Sequence, residues 1–98
     1  MSIRIDPEKN ELRALEGVTD WRGKRVLEIG CGEGRLTRRL AQLGAVVHAI
    51  DPDPELVRKA REAMPKRFAK SVSFKAGKAE KLGHAEESLD VVVFAWSL

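Results

Sequence analysis

The sequence has 98 residues, 43% hydrophobic and 34% charged, and 18 Lys and Arg against 15 Asp and Glu give it a net charge of +3. That length allows one domain, near the lower limit for a core that sustains itself, and no apolar run is long enough to cross a bilayer. The basic residues are dispersed, and the one local cluster, Lys66 to Lys70, reads as a solvated helix end, so the charge does not argue for nucleic acid. The N-terminus lacks the apolar stretch of a secretory signal, and the single cysteine, Cys31, has no partner for an internal disulfide. Both features fit a cytoplasmic protein.

In chain order, Asp6 is placed to cap a helix with Pro7 at its first position, running to about Leu15 and ended by Gly17. Lys24 to Gly30 reads as a buried strand. From Glu33 to Leu43 the apolar positions Leu36, Leu40 and Leu43 recur at helical spacing, with Gly44 suited to the turn after the helix. Ala45 to Ile50 is β-branched and apolar, a second strand. Asp53, Pro54 and Glu55 form a helix start, and Leu56, Val57, Ala60, Ala63 and Met64 make its apolar face, with Pro65 ending it. Ser71 to Ala76 alternates as a third strand, Ala79 to Leu82 makes a single helical turn, and Ser88 to Leu98 is the most apolar strand of all.

Apolar strands joined by helices predict an α/β fold with a parallel sheet covered on two sides. Right-handed crossovers then give half of a doubly wound, Rossmann-like sheet. Counted from the strand at Lys24 to Gly30, its order is 3-2-1-4 with flanking helices. A ligand crevice is expected at the carboxyl end of the first of these strands, where the order reverses. Gly30, Gly32 and Gly34 lie at that place.

Glycine is a poor choice inside a regular element, but between a strand and a helix it lets a ligand approach the backbone. Asp51 follows Gly30 by 21 residues and ends the second strand, where a carboxylate can accept from both hydroxyls of a ribose. Loop and acid together indicate a nucleoside-bearing ligand. The dinucleotide spacing G-x-G-x-x-G would require glycine at position 35, which is Arg35, so a nicotinamide cofactor is disfavoured.

Instead, Glu28 to Gly34 spells E-x-G-x-G-x-G, and "VLEIGCGEGRLT" resembles motif I of the class I S-adenosylmethionine-dependent methyltransferases. "VVHAIDPDPELVRKAR" is similar to their second motif, and "VSFKAGKAEKL" and "LDVVVFAWSL" to their third- and fourth-strand segments. The resemblance implies that Gly30, Cys31, Gly32 and Gly34 form the loop under the methionine part of S-adenosylmethionine. It implies that Glu28 orders that loop and the cofactor's amino-acid end, that Asp51 holds the ribose, and that Pro52 lies against the adenine. Lys78 stands where the family commonly has an acidic acceptor for the adenine amino group, and an ammonium cannot accept a hydrogen bond. Ala79 would still offer its backbone N–H to the ring.

Outside the motif, Cys31 also reads as a small filler of the loop, His48 as a packed or edge histidine, His84 as exposed and Asp90 as structural. No Cys/His cluster has metal-ligand spacing. The resemblance runs to the end of the chain without the fifth strand and hairpin of the family, so residues 1–98 read as a truncated cofactor-binding domain preceded by a helical segment over 1–20. It implies the S-adenosylmethionine-binding part of an enzyme that methylates an acceptor when complete. The alternative is a non-catalytic half-Rossmann module that assembles with itself and binds cofactor weakly or not at all. Either way, the outer edge of Asp90 to Trp96 lacks a partner strand, and such an edge is a template for association. The expectation is a homodimer joined through this strand, with Val91, Val93 and Trp96 buried between copies.

Overall fold

A computed structural model of the chain describes residues 2–5, 15–78 and 89–95. Its strands are β1 (Ser2–Ile5), β2 (Arg25–Ile29), β3 (Val46–Asp51), β4 (Val72–Ala76) and β5 (Val91–Ala95), with helix α1 (Arg35–Gln42) after β2 and helix α2 (Pro54–Ala63) after β3. All pair in parallel in one sheet of order β1-β5-β2-β3-β4. The β5-β2-β3-β4 part is the expected 3-2-1-4 order, reversed in direction of reading. Asp53 caps α2 as its sequence suggests, its carboxylate accepting from the N–H of Glu55 at 2.9 Å and of Leu56 at 3.4 Å. Pro54 fills the position where a missing N–H costs nothing.

Residues paired in register in a sheet share a face. Val26, Val47, Val72 and Val91 form one row, and Glu28, Ala49, Phe74 and Val93 the next along the strands. This face carries the core, where Val26, Val47 and Val93 are fully buried against Leu36 and Leu40 of α1. Each such leucine contributes about 1.5–3 kcal/mol by leaving water. Helix α2 packs on the same side, with Ala60 against Gly34 and the Phe74 ring close by. Leu15 and Trp21 close the core at its other end, where the Trp21 indole N–H donates to the Leu15 carbonyl at 2.6 Å. Both described helices thus lie on one face of the sheet. Among the described residues no helix is long and apolar enough to cross a membrane.

Two expectations are corrected. The segment over 1–20 is not helical throughout: Ser2–Ile5 is a strand, while Leu15 and Glu16 are helical. The rest of the helix expected from Asp6, the turn at Ala79 to Leu82, His84 and Trp96 lie outside the described residues. The second correction follows from the first. The outer edge of β5 is not open, because β1 pairs along it from Ser2 opposite Val92 to Ile5 opposite Ala95. Val91 and Val93, expected between two copies, are 2% and 0% exposed within the chain's own core. The homodimer expectation loses its physical basis, since the unpaired N–H and C=O groups it relied on meet a strand of the same chain.

This arrangement makes a prediction about association. Deleting residues 1–5 should uncover the β5 edge and give a chain whose mass by light scattering rises with concentration, while the intact chain does not associate through that edge. Equal association of the two would show that β1 does not guard it.

Candidate functional site

The three glycines after β2 have three different reasons. Gly30 has φ +82°, and a Cβ there would lie 3.0 Å from the Ala95 carbonyl oxygen at the end of β5. Gly34 has φ +85°, and a Cβ there would lie 3.1 Å from the Ala60 side chain. At both, the close approach is by the protein itself. Gly32, with φ +54°, differs: nothing lies within 4 Å of where its Cβ would be. Of the three, Gly32 alone combines a backbone conformation that L side chains rarely adopt with open space beside it.

Backbone hydrogen bonds draw this loop across to β3. The N–H groups of Gly30 and Cys31 both donate to the Ile50 carbonyl, at 2.9 and 3.0 Å. Asp51, the next residue, is 8% exposed. Its Oδ2 accepts from the Gly32 N–H at 2.9 Å and its Oδ1 from the Asp53 N–H at 2.9 Å. Its main-chain carbonyl accepts from the Gly77 N–H at 3.0 Å. One residue therefore ties together the segments that leave β2, β3 and β4. Each carboxylate oxygen has a second lone pair for another donor, so the sequence expectation of a hydroxyl acceptor and the observed tethering role are compatible.

Glu28 is fully buried in the β2 row between Ala49 and Val93. The Thr37 hydroxyl on α1 donates to its Oε1 at 2.5 Å, and its Oε2 has no hydrogen-bond partner. Burial pushes the Glu28 carboxyl up to about 8, against the Thr37 hydrogen bond and with help from the negative charge of Asp51. Cys31 is 6% exposed, and its thiol is pushed up to about 12 by burial and by the charges of Glu28 and Asp51. That places it among inert, packed cysteines. Pro52 and Lys78 are exposed, next in sequence to Asp51 and Gly77. Ala79 lies outside the described residues.

Thr37 escaped the sequence reading. Its signal was a hydroxyl between Leu36 and Leu40 on the buried side of α1, where a polar atom needs a partner. The Ala95 carbonyl beside Gly30 had no such signal, because only the sheet order brings it there. His48 is exposed, with its Nδ1 2.6 Å from the Ser73 hydroxyl on β4, as suits a histidine on the outer face of the sheet.

A family model described as a methyltransferase domain matches residues 26–98. An uncharacterised methyltransferase of Mycobacterium tuberculosis is 38% identical over 82 residues, which are 84% of this chain and 32% of that protein. In fold, the chain is similar to an S-adenosylmethionine-dependent methyltransferase from Mesorhizobium loti, with a TM-score of 0.74 and 25% identity over 93% of this chain and 40% of that one. It is also similar to the magnesium protoporphyrin IX methyltransferase of Synechocystis with bound SAH, with a TM-score of 0.72 and 26% identity over 88% of this chain and 39% of that one. The chain spans about a third of the length of the curated relative.

The buried carboxyl yields a stability test. Between the ordinary carboxylate value of 4.5 and about 8, the folded chain holds a proton on Glu28 that the unfolded chain has lost. Stability from this group is therefore full below pH about 4.5 and is lost as pH rises to about 8. Glu28→Gln should remove that decline, so that denaturant midpoints of the variant exceed wild type at pH 8.5 and approach it at pH 4.5. Parallel profiles for the two proteins would contradict the assignment.

Proposed function

The chain belongs to the methyltransferase-domain family, and on that premise we propose that it forms the S-adenosylmethionine-binding part of a class I methyltransferase. The observation that carries this reading is Gly32, a left-handed residue facing open space on a loop that Asp51 holds by its amide. Two further features fit the cofactor's chemistry. Asp51 keeps lone pairs for ribose hydroxyls, and Glu28 has an oxygen without a partner, an arrangement that suits a ligand carrying donors and positive charge. A pyrophosphate would find the Asp51 carboxylate here, which is the wrong sign.

When bound, S-adenosylmethionine supplies a methyl group on a sulfonium, ready for a nucleophile. The contribution of this chain's residues is position rather than proton transfer. The loop from Gly30 to Gly34 would lie under the methionine part, Glu28 would fix the loop through Thr37, and Asp51 would hold the ribose. Pro52 would offer an apolar surface to the adenine. Lys78 can donate but not accept, so recognition of the adenine amino group would rest on backbone or on other side chains. The alternative of a self-assembling, non-catalytic module drew on an open β5 edge, and β1 occupies that edge.

Calorimetric titration with S-adenosylhomocysteine tests the proposal. Asp51→Ala should weaken binding by about 1.5–3 kcal/mol, the usual loss for hydrogen bonds to a charged group, at a temperature where circular dichroism shows both proteins folded. Equal affinity of wild type and variant, or no binding by wild type, would overturn it.

A further inference from the structure

Beside the glycine loop, a groove of about 420 Å³ lies between α1 and α2, with Glu33 and Gly34 among its lining residues. Arg35 and Arg38 of α1 and Lys59 of α2 line it, together with Ala60, Ala63 and Met64. Glu33 is the one carboxylate among its lining residues, against three cations. Gly32, Asp51 and Pro52 take no part in it. The volume is within the range of small-molecule sites, roughly 300–1,000 Å³.

Two observations bear on the arginines of this groove. Four of its other arginines have polar side-chain partners: Arg22 with Asp20, Arg39 with Glu16, Arg58 with Glu55 and Glu62, and Arg61 with the Phe74 carbonyl. Arg35 and Arg38 have no ion-pair partner among the described residues. They also stand in the first turn of α1, which holds no acidic residue and has no side-chain cap. The N-terminal end of a helix carries partial positive charge, and cations placed there are unfavourable by themselves. An anion between the two helices would reverse that sign, and Ala60, Ala63 and Met64 offer an apolar surface beside it.

We propose that the groove between α1 and α2 binds a small phosphate-bearing ligand of the nucleotide class, with its phosphates on Arg35, Arg38 and Lys59 and its base against Ala63 and Met64. Guanidinium groups suit phosphate oxygens through paired N–H donors. The groove meets the proposed cofactor loop at Glu33 and Gly34 but takes in none of Gly30, Gly32 and Asp51, so both sites can be occupied together. The binding is expected to weaken as salt screens the three cations.

The test titrates the full 98-residue chain with ADP, with and without saturating S-adenosylhomocysteine, by NMR shift perturbation and calorimetry. ADP should bind in both cases, move the resonances of Arg38, Lys59 and Ala63, and lose affinity about tenfold or more in Arg38→Ala and in Lys59→Ala, as expected for a lost charge-assisted hydrogen bond. Both side chains are exposed, so the variants should keep the wild-type circular dichroism. Three results would overturn the proposal: no ADP binding, whether or not a single-stranded oligonucleotide binds, displacement of ADP by S-adenosylhomocysteine, or indifference of ADP to both substitutions.

Discussion

The Asp51 carboxylate is the interaction on which the upper rim of this sheet depends. Three chain segments leave the carboxyl ends of β2, β3 and β4, and without a common anchor each would meet solvent separately. Asp51 receives the Gly32 and Asp53 amides on its two carboxylate oxygens and the Gly77 amide on its main-chain carbonyl. A carboxylate is suited to this because it is acceptor-only and accepts at several lone pairs at once. Three amides that would otherwise need water are satisfied at one residue, and the glycine loop is tied to β3 by the protein's own hydrogen bonds. That is preorganisation in the physical sense: the ordering cost falls on folding rather than on binding.

Much of this was legible from residue types alone. Asp53 with Pro54 marked the start of α2, and the leucine spacing marked α1. The β-branched runs marked the strands, and the E-x-G-x-G-x-G spacing marked the loop. What could not be read was anything that required a neighbour from elsewhere in the chain. The glycines looked like one device, yet Gly30 makes room for the Ala95 carbonyl and Gly34 for Ala60, while Gly32 faces open space. Those partners lie 65 and 26 positions along the chain and are brought there by sheet order, which spacing does not encode. Ser2–Ile5 was missed for a related reason. Four residues hold too little periodicity to identify a strand, and its stability comes from the β5 edge it completes. Without this strand the sheet would end at β5 with an open edge, which is the edge the homodimer expectation rests on.

Glu28 shows the opposite balance from Asp51. It sits in the core row of the sheet, with one oxygen satisfied by Thr37 and the other by nothing. A buried polar atom without a partner costs about 1–3 kcal/mol, a loss that an apolar residue at the same place would avoid. The protein relieves part of it by keeping the carboxyl protonated at neutral pH. A fold that carries such a cost next to its glycine loop, with Asp51 near enough to add to the shift, has the character of a site rather than of a core. The inert thiol of Cys31 and the exposed His48 do not share that character.

Amide hydrogen exchange at Gly32 tests the central claim most directly, because it reads the Asp51 tether itself. The account predicts that the Gly32 amide exchanges well below the rate of an unprotected loop amide in the wild-type chain. In Asp51→Ala that protection should be lost, while the Gly30 amide, bonded to the Ile50 carbonyl, stays protected. Free exchange at Gly32 in the wild type, or protection that survives Asp51→Ala, would contradict it.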